Sequence, residues 1–116
     1  MVVDGSLTDH EVDRIFQALA DATRRDILRR AIQSGESVSV LSRHYAMSFA
    51  AVQKHVAVLE RAALVTKERR GREQIVHADG AMLHKARALL GAYEQLWIVR
   101  TNQISEILTT TKGEPT

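Results

Sequence analysis

Two short clusters carry the side chains best suited to recognition chemistry. Ser48, Phe49 and Ala50 are followed by Gln53, Lys54 and His55, and Arg69, Arg70 and Arg72 stand around Gly71. A carboxamide pairs a donor with an acceptor, the arrangement an adenine edge complements, and an ammonium suits guanine acceptors. Guanidinium forks match phosphate oxygens. Machinery for catalysis is missing by comparison. No glycine-rich phosphate loop, His-Glu-x-x-His or nucleophile elbow occurs, and the five histidines are scattered. The expectation is a binding protein that is not an enzyme.

Charge placement supports a polyanionic partner. The chain carries a formal +2, yet between Arg43 and His77 seven basic residues face three acidic ones, leaving +4 there and −2 elsewhere. Its 116 residues suit one domain, taken as 1–110 with a polar tail at 111–116. Cysteine is absent, which excludes disulfides and thiolate metal sites. No apolar run is long enough to span a bilayer. Met1 to His10 lacks the basic flank and apolar stretch of an export signal. The reading is cytoplasmic, with no membrane partner, no cofactor and no metal.

Local signals place the clusters on elements. Thr8 and Glu11 have capping-box spacing, and Val12, Ile15, Phe16 and Leu19 form one apolar stripe. Asp21 starts a second helix carrying Ile27, Leu28, Ala31 and Ile32, with Gly35 placed to end it. Ser37 starts a short third helix with Val38, Leu41 and Tyr45. Ser48 starts a fourth, in which Val52, Val56 and Leu59 form a narrow buried stripe. Ala50, Lys54, Ala57 and Arg61 then face outward with Gln53 beside them. His55 lies about 60° off the stripe, where a packed, hydrogen-bonded role competes with a contact role.

Leu64–Thr66 and Gln74–Val76 read as strands, with Lys67–Glu73 as a loop whose tip holds three arginines. Asp79 caps a last helix over about 80–110. Along it Leu83, Leu90, Trp97 and Ile104 form one row and Ala86, Tyr93 and Ile107 another, with Arg100 breaking the second. A helix this long outreaches a small core, so a partner helix from a second copy is expected. Gly91 interrupts it at some cost in helicity.

The order of three helices, a turn, a helix, a basic hairpin and a long helix is that of a winged helix-turn-helix domain, mainly α with a small β-hairpin. Two runs also carry a family resemblance. Phe16-Gln-Ala-Leu-Ala-Asp-Ala-Thr-Arg-Arg-Asp-Ile-Leu28 resembles the opening signature of ArsR-type transcriptional regulators. Met47-Ser-Phe-Ala-Ala-Val-Gln-Lys-His-Val-Ala-Val-Leu-Glu-Arg-Ala-Ala-Leu-Val65 is similar to their recognition helix and strand entry. The likeness covers Asp13 to Val76, and Tyr93-Glu-Gln-Leu-Trp97 is similar to a branch without the usual metal-site motifs.

The resemblance implies a homodimeric repressor on a palindromic double-stranded DNA operator, joined through its terminal helices. On that basis Ser48, Phe49, Ala50, Gln53, Lys54, His55, Arg69, Arg70 and Arg72 are the DNA-facing candidates. Val12, Phe16, Leu83, Leu90, Tyr93, Trp97 and Ile104 are the interface candidates. The sequence departs from the pattern in several places. Ser37-Val-Ser-Val-Leu41 replaces the cysteine pair of metal sensors, and the last helix holds one histidine, His84, without a partner at ligand spacing. Ala63 stands where the family has glycine, and Phe49-Ala50 replaces a more polar pair. Two other readings are a winged-helix protein-interaction module without DNA binding and a repressor gated by a small ligand. The sequence names no effector.

Overall fold

A computed structural model describes residues 7–112, with side chains through residue 109. The order is α1 (Asp9–Leu19), α2 (Ala22–Gln33), β1 (Glu36–Ser37), α3 (Val38–Ser42), α4 (Phe49–Arg61), β2 (Val65–Arg70), β3 (Glu73–Ala78) and α5 (Gly80–Lys112). The three strands form one antiparallel sheet in the order β1-β3-β2.

Helix starts follow the polar residues that read as caps. Thr8 Oγ1 accepts from Glu11 N–H at 3.1 Å while Glu11 Oε1 accepts from Thr8 N–H at 2.8 Å, a complete capping box. Asp21, Ser37 and Ser48 accept from Arg24, Val40 and Ala51 N–H at 3.0, 3.1 and 3.1 Å. Each such cap contributes on the order of 1 kcal/mol. Ile15, Ile27, Leu41, Val52, Val56, Leu59, Leu64, Val65 and Val76 are fully buried in one core. Val52, Val56 and Leu59 thus lock one side of α4 and leave its opposite side outward.

Several expectations are corrected. Gly35 does not close α2 in a left-handed conformation: the helix ends at Ser34, whose backbone is extended. Gly35 is required by space, because a Cβ there would lie 2.7 Å from the His77 ring. Ile32 is exposed, since α2 is buried only through Ile27, Leu28 and Ala31. Tyr45 lies beyond α3, in the turn before α4. The expected loop at Lys67–Glu73 is mostly strand. Arg69 pairs with Gln74 and Arg70 with Glu73, leaving a two-residue turn at Gly71-Arg72. Gly71 has φ 62° and Arg72 does not share its sign, the pattern of a hairpin with glycine first. Helix α5 runs two residues into the segment read as tail; the remainder of that tail lies outside the described residues.

Ala63 closes α4 in a strained way. Its φ is 60°, and its N–H donates to Glu60 O at 2.9 Å while Leu64 N–H donates to Leu59 O at 3.0 Å. This is a Schellman motif with alanine at the left-handed position, and Leu59 and Leu64, which its longer hydrogen bond joins, are both buried in the core. A left-handed conformation costs a non-glycine residue roughly 1–2 kcal/mol, partly offset by the greater unfolded-state freedom of glycine. Ala63→Gly is therefore expected to raise stability by up to about 1 kcal/mol. Chemical denaturation checks this, and a loss of stability would mean that the strain is absent.

Tyr45 ties its turn to α2. Its hydroxyl donates to Asp26 Oδ2 at 2.6 Å, and Arg30 Nε donates to the same oxygen at 2.9 Å while Arg29 holds Oδ1. Hydrogen bonds from Tyr45, then Arg29 and Arg30, hold the Asp26 carboxyl well below the usual range. Burial, then the Asp26 carboxylate, pushes the Tyr45 phenol up to about 12. A depressed carboxyl stabilises the fold fully above its unfolded value of about 3.9, and that contribution fades as pH falls towards the folded value. Asp26→Asn is therefore expected to lower the melting temperature at pH 7, with a gap that narrows between pH 4 and pH 2. A gap constant with pH would remove Asp26 from the acid response.

The length of α5 dominates the shape. Thirty-three residues at 1.5 Å each make about 50 Å, and the principal extents are 76 × 31 × 21 Å. Met82, Leu83 and Ala86 pack on the chain's own core. Leu83, expected in the interface row, is thus already half-covered by its own body. From Leu90 onward the apolar side chains are open: Tyr93, Leu96, Trp97, Val99, Ile104 and Leu108 are all exposed. They cover an arc of about 180°, wider than a two-helix seam.

Candidate nucleic-acid interface

The outward side of α4 and the β2–β3 hairpin meet across a cleft of about 310 Å3. Phe49 and Gln53 form one wall; Arg69, Arg72, Glu73 and Gln74 form the other. Ser39 of α3 reaches the same cleft, and it and Gln74 are contributors that sequence reasoning missed. Gln74 lies directly across from Arg69, a pairing that only the register discloses.

The α4 candidates divide by environment. Ser48 is committed as a cap, through its hydroxyl, to Ala51 N–H. Ala50, Gln53 and Lys54 are exposed, and Phe49 is 45% exposed rather than core. Small Ala50 beside long Gln53 and Lys54 leaves the helix able to approach another surface closely. His55 points elsewhere. Its Nδ1 lies 3.3 Å from an Arg24 guanidinium nitrogen and 3.9 Å from Asp21 Oδ2, and its side chain is only 22% exposed. The Arg24 N–H bond, chiefly, holds the Asp21 carboxyl below its ordinary value.

That arrangement explains the Asp21-Ala-Thr-Arg24-Arg25 run. Arg24 Nε and a terminal nitrogen donate to Ala18 O and Gln17 O, both at 2.9 Å, and Arg25 donates to Leu19 O at 2.7 Å. The pair closes the C-terminal end of α1, and Arg24 also joins α1 and α2 to α4 through His55. Each bond to a charged donor contributes about 1.5–3 kcal/mol where it is shielded from water, and less at these partly exposed sites.

The three hairpin arginines are not one cluster. Arg69 and Arg72 line the cleft. Arg70 is on the other side of the ribbon, 3.3 Å from Glu68 Oε1, which also lies 2.9 Å from His77 Nε2. His77, then Arg70, holds the Glu68 carboxyl below its ordinary range. Strand alternation produces this split, because neighbouring side chains leave opposite faces. Lys67 Nζ, 3.3 Å from Glu60 Oε1, anchors the ribbon to the end of α4. Lys54, Arg69 and Arg72 have no ion pair among the described residues. Among those residues there is also no gathering of three metal-ligating side chains, and no helix is long and apolar enough to cross a membrane.

This arrangement offers close-approach surface, an amide and a lysine beside unpaired guanidiniums, which suits a double helix. Known proteins share the fold that carries it. A solved ArsR-like transcriptional regulator from Rhodococcus sp. RHA1 superposes with a TM-score of 0.74 and 33% identity, over 84% of this chain and 92% of that one. The chain belongs to the ArsR family. This ArsR-family protein is 39% identical over 67 residues to the HTH-type transcriptional regulator Rv2034 of Mycobacterium tuberculosis, a match spanning 58% of this chain and 63% of that regulator. The homodimeric winged helix-turn-helix domain Mb0332 of Mycobacterium bovis shares the fold, at a TM-score of 0.61 and 18% identity over 78% of this chain and 91% of that one. No family model matches the chain. The ArsR relatives are transcriptional regulators and not enzymes, and the protein is a DNA-binding transcriptional regulator with a winged helix-turn-helix fold.

Proposed function

We propose that this regulator is a cytoplasmic homodimeric repressor that binds a palindromic operator, with residues 1–110 acting as a single unit. One observation carries the reading. The exposed side of α4 adjoins two hairpin arginines that lack acidic partners, across a cleft open to solvent. Gln53, with Phe49 and Ala50, reads bases in the major groove. Lys54, Arg69 and Arg72 supply the salt-dependent attraction to phosphate. Ser48 presents the amino end of α4 to the backbone, and Arg70 adds charge from the far side of the ribbon. His55 acts by holding α4 through Arg24, so its contribution is orientation. A second copy, seated on Val12, Phe16, Leu90, Tyr93, Trp97 and Ile104, places two α4 helices about 34 Å apart. A homodimeric neighbour of the same fold favours that assembly.

The test starts with DNA selected from a random pool by the purified protein. Gln53→Ala is expected to weaken binding to the selected duplex by about 1–3 kcal/mol while leaving unrelated DNA unchanged. Equal losses on both duplexes would remove the base-reading role. Failure to select any sequence, with undiminished capture of proteins through the Phe49–Ala50 face, would favour the interaction-module reading.

A further inference from the structure

A second cationic site lies away from the hairpin. His10, Arg14 and Gln17 of α1 face Val58 and Arg61 of α4 across a cleft of about 180 Å3. A neighbouring cleft of about 100 Å3 is lined by the same two arginines together with Glu11 and Met82. Neither Arg14 nor Arg61 has an ion pair or a side-chain hydrogen bond among the described residues. Glu60 pairs with Lys67, and Glu11, which borders only the smaller cleft, accepts from Thr8 N–H through Oε1. Arg61 is not used to close α4 either, because the carbonyls of Val58, Leu59 and Glu60 already accept from Ala62, Leu64 and Ala63.

Two arginines bordering the larger cleft, whose lining holds no acidic residue, favour an anion with planar or tetrahedral oxygens. A cleft of about 180 Å3 has room for a ligand of a few heavy atoms. The cleft also stays open in the proposed dimer. On the α1 wheel His10, Arg14 and Gln17 fall roughly opposite Val12 and Phe16. We infer that the cleft between α1 and the end of α4 binds a small carboxylate or phosphate ligand, clasped by Arg14 and Arg61, with His10 and Gln17 as further donors. Because α1 carries the proposed dimer contact Phe16 and α4 carries Gln53, such a ligand would set the angle between them. That regulatory part rests on the proposed DNA-binding function; the binding part does not.

The experiment uses the full chain with inorganic phosphate and succinate as separate probes, at ionic strength matched with chloride. Melting temperature and titration calorimetry are read for wild type, Arg14→Gln, Arg61→Gln, the double variant and Lys85→Gln as a remote control. A saturable response to at least one probe is expected, weakened about tenfold or more in each single arginine variant and unchanged in Lys85→Gln. The responding probe identifies the oxygen chemistry. A response equal in wild type and the double variant is a general salt effect and overturns the inference, as does no saturable response to either probe. If an arginine variant melts too early to titrate, His10→Ala/Gln17→Ala replaces it, with a reduced response expected and an unchanged one counting against the site. Anion binding without any change in affinity for selected DNA would leave the site standing and remove its regulatory role. Loss of DNA recognition altogether would instead reject the parent function.

Discussion

Leu90→Asp combined with Trp97→Asp is expected to yield a monomer that binds a two-half-site duplex at least about a hundredfold more weakly. Both side chains are more than half exposed on the single chain, so charging them leaves the core from Ile15 to Val76 intact. Burying one carboxylate in an apolar helix seam without a partner costs several kcal/mol, and two-fold symmetry presents every substitution twice. The affinity loss follows because two half-sites held by one rigid dimer bind as a linked pair, whereas a monomer holds only one. Sedimentation equilibrium and a gel shift on full and half sites read both effects. A variant that stays dimeric would move the interface off α5. A monomer that retains full affinity would separate dimerisation from DNA binding.

Replacing Arg69, Arg70 and Arg72 by alanine should flatten the salt dependence of binding and lower affinity about a hundredfold at moderate salt. The slope of log affinity against log salt falls by about 0.9 for every phosphate that is no longer neutralised, so two such phosphates per protomer remove about 3.6 from a dimer. The structure divides this effect unequally. Arg69 and Arg72 share the cleft with Gln53, whereas Arg70 is engaged with Glu68 on the opposite side. Arg69→Ala/Arg72→Ala is thus expected to account for most of the change, and Arg70→Ala for little. A large effect of Arg70→Ala alone would mean that the ribbon turns over on binding. An unchanged slope in the triple variant would detach the hairpin from phosphate.

What the chain revealed beforehand was what local chemistry decides. Thr8 with Glu11, Asp21, Ser37 and Ser48 mark helix starts because a side-chain oxygen and an amide three residues on suffice to form the bond. The spacing of Val52, Val56 and Leu59 disclosed which side of α4 is buried. Strand β1 escaped notice because its two residues are strand only through pairing with Val76 and Ile75, far along the chain. Lys67 to Arg70 looked like a loop because four charged residues rarely suit a sheet; a two-stranded ribbon projecting into water accepts them. The partition of Arg69 from Arg70 depended on that register, so it too was hidden. The Arg24 bonds to α1 and His55 span 6 to 31 residues, beyond any periodicity. The clefts joining α1 to α4 likewise exist only after folding.

The close fit of Gly35 beneath His77 gives the short connection after α2 an unexpected reach. Any side chain at that residue would push the imidazole aside and, with it, the carboxylate it shares with the hairpin. Mutational drift at a solvent-facing connector would therefore be felt in the pairing of Glu68 on the hairpin face away from the cleft. A peptide link that looks like a mere spacer thus constrains a pair of side chains on the two strands beyond it.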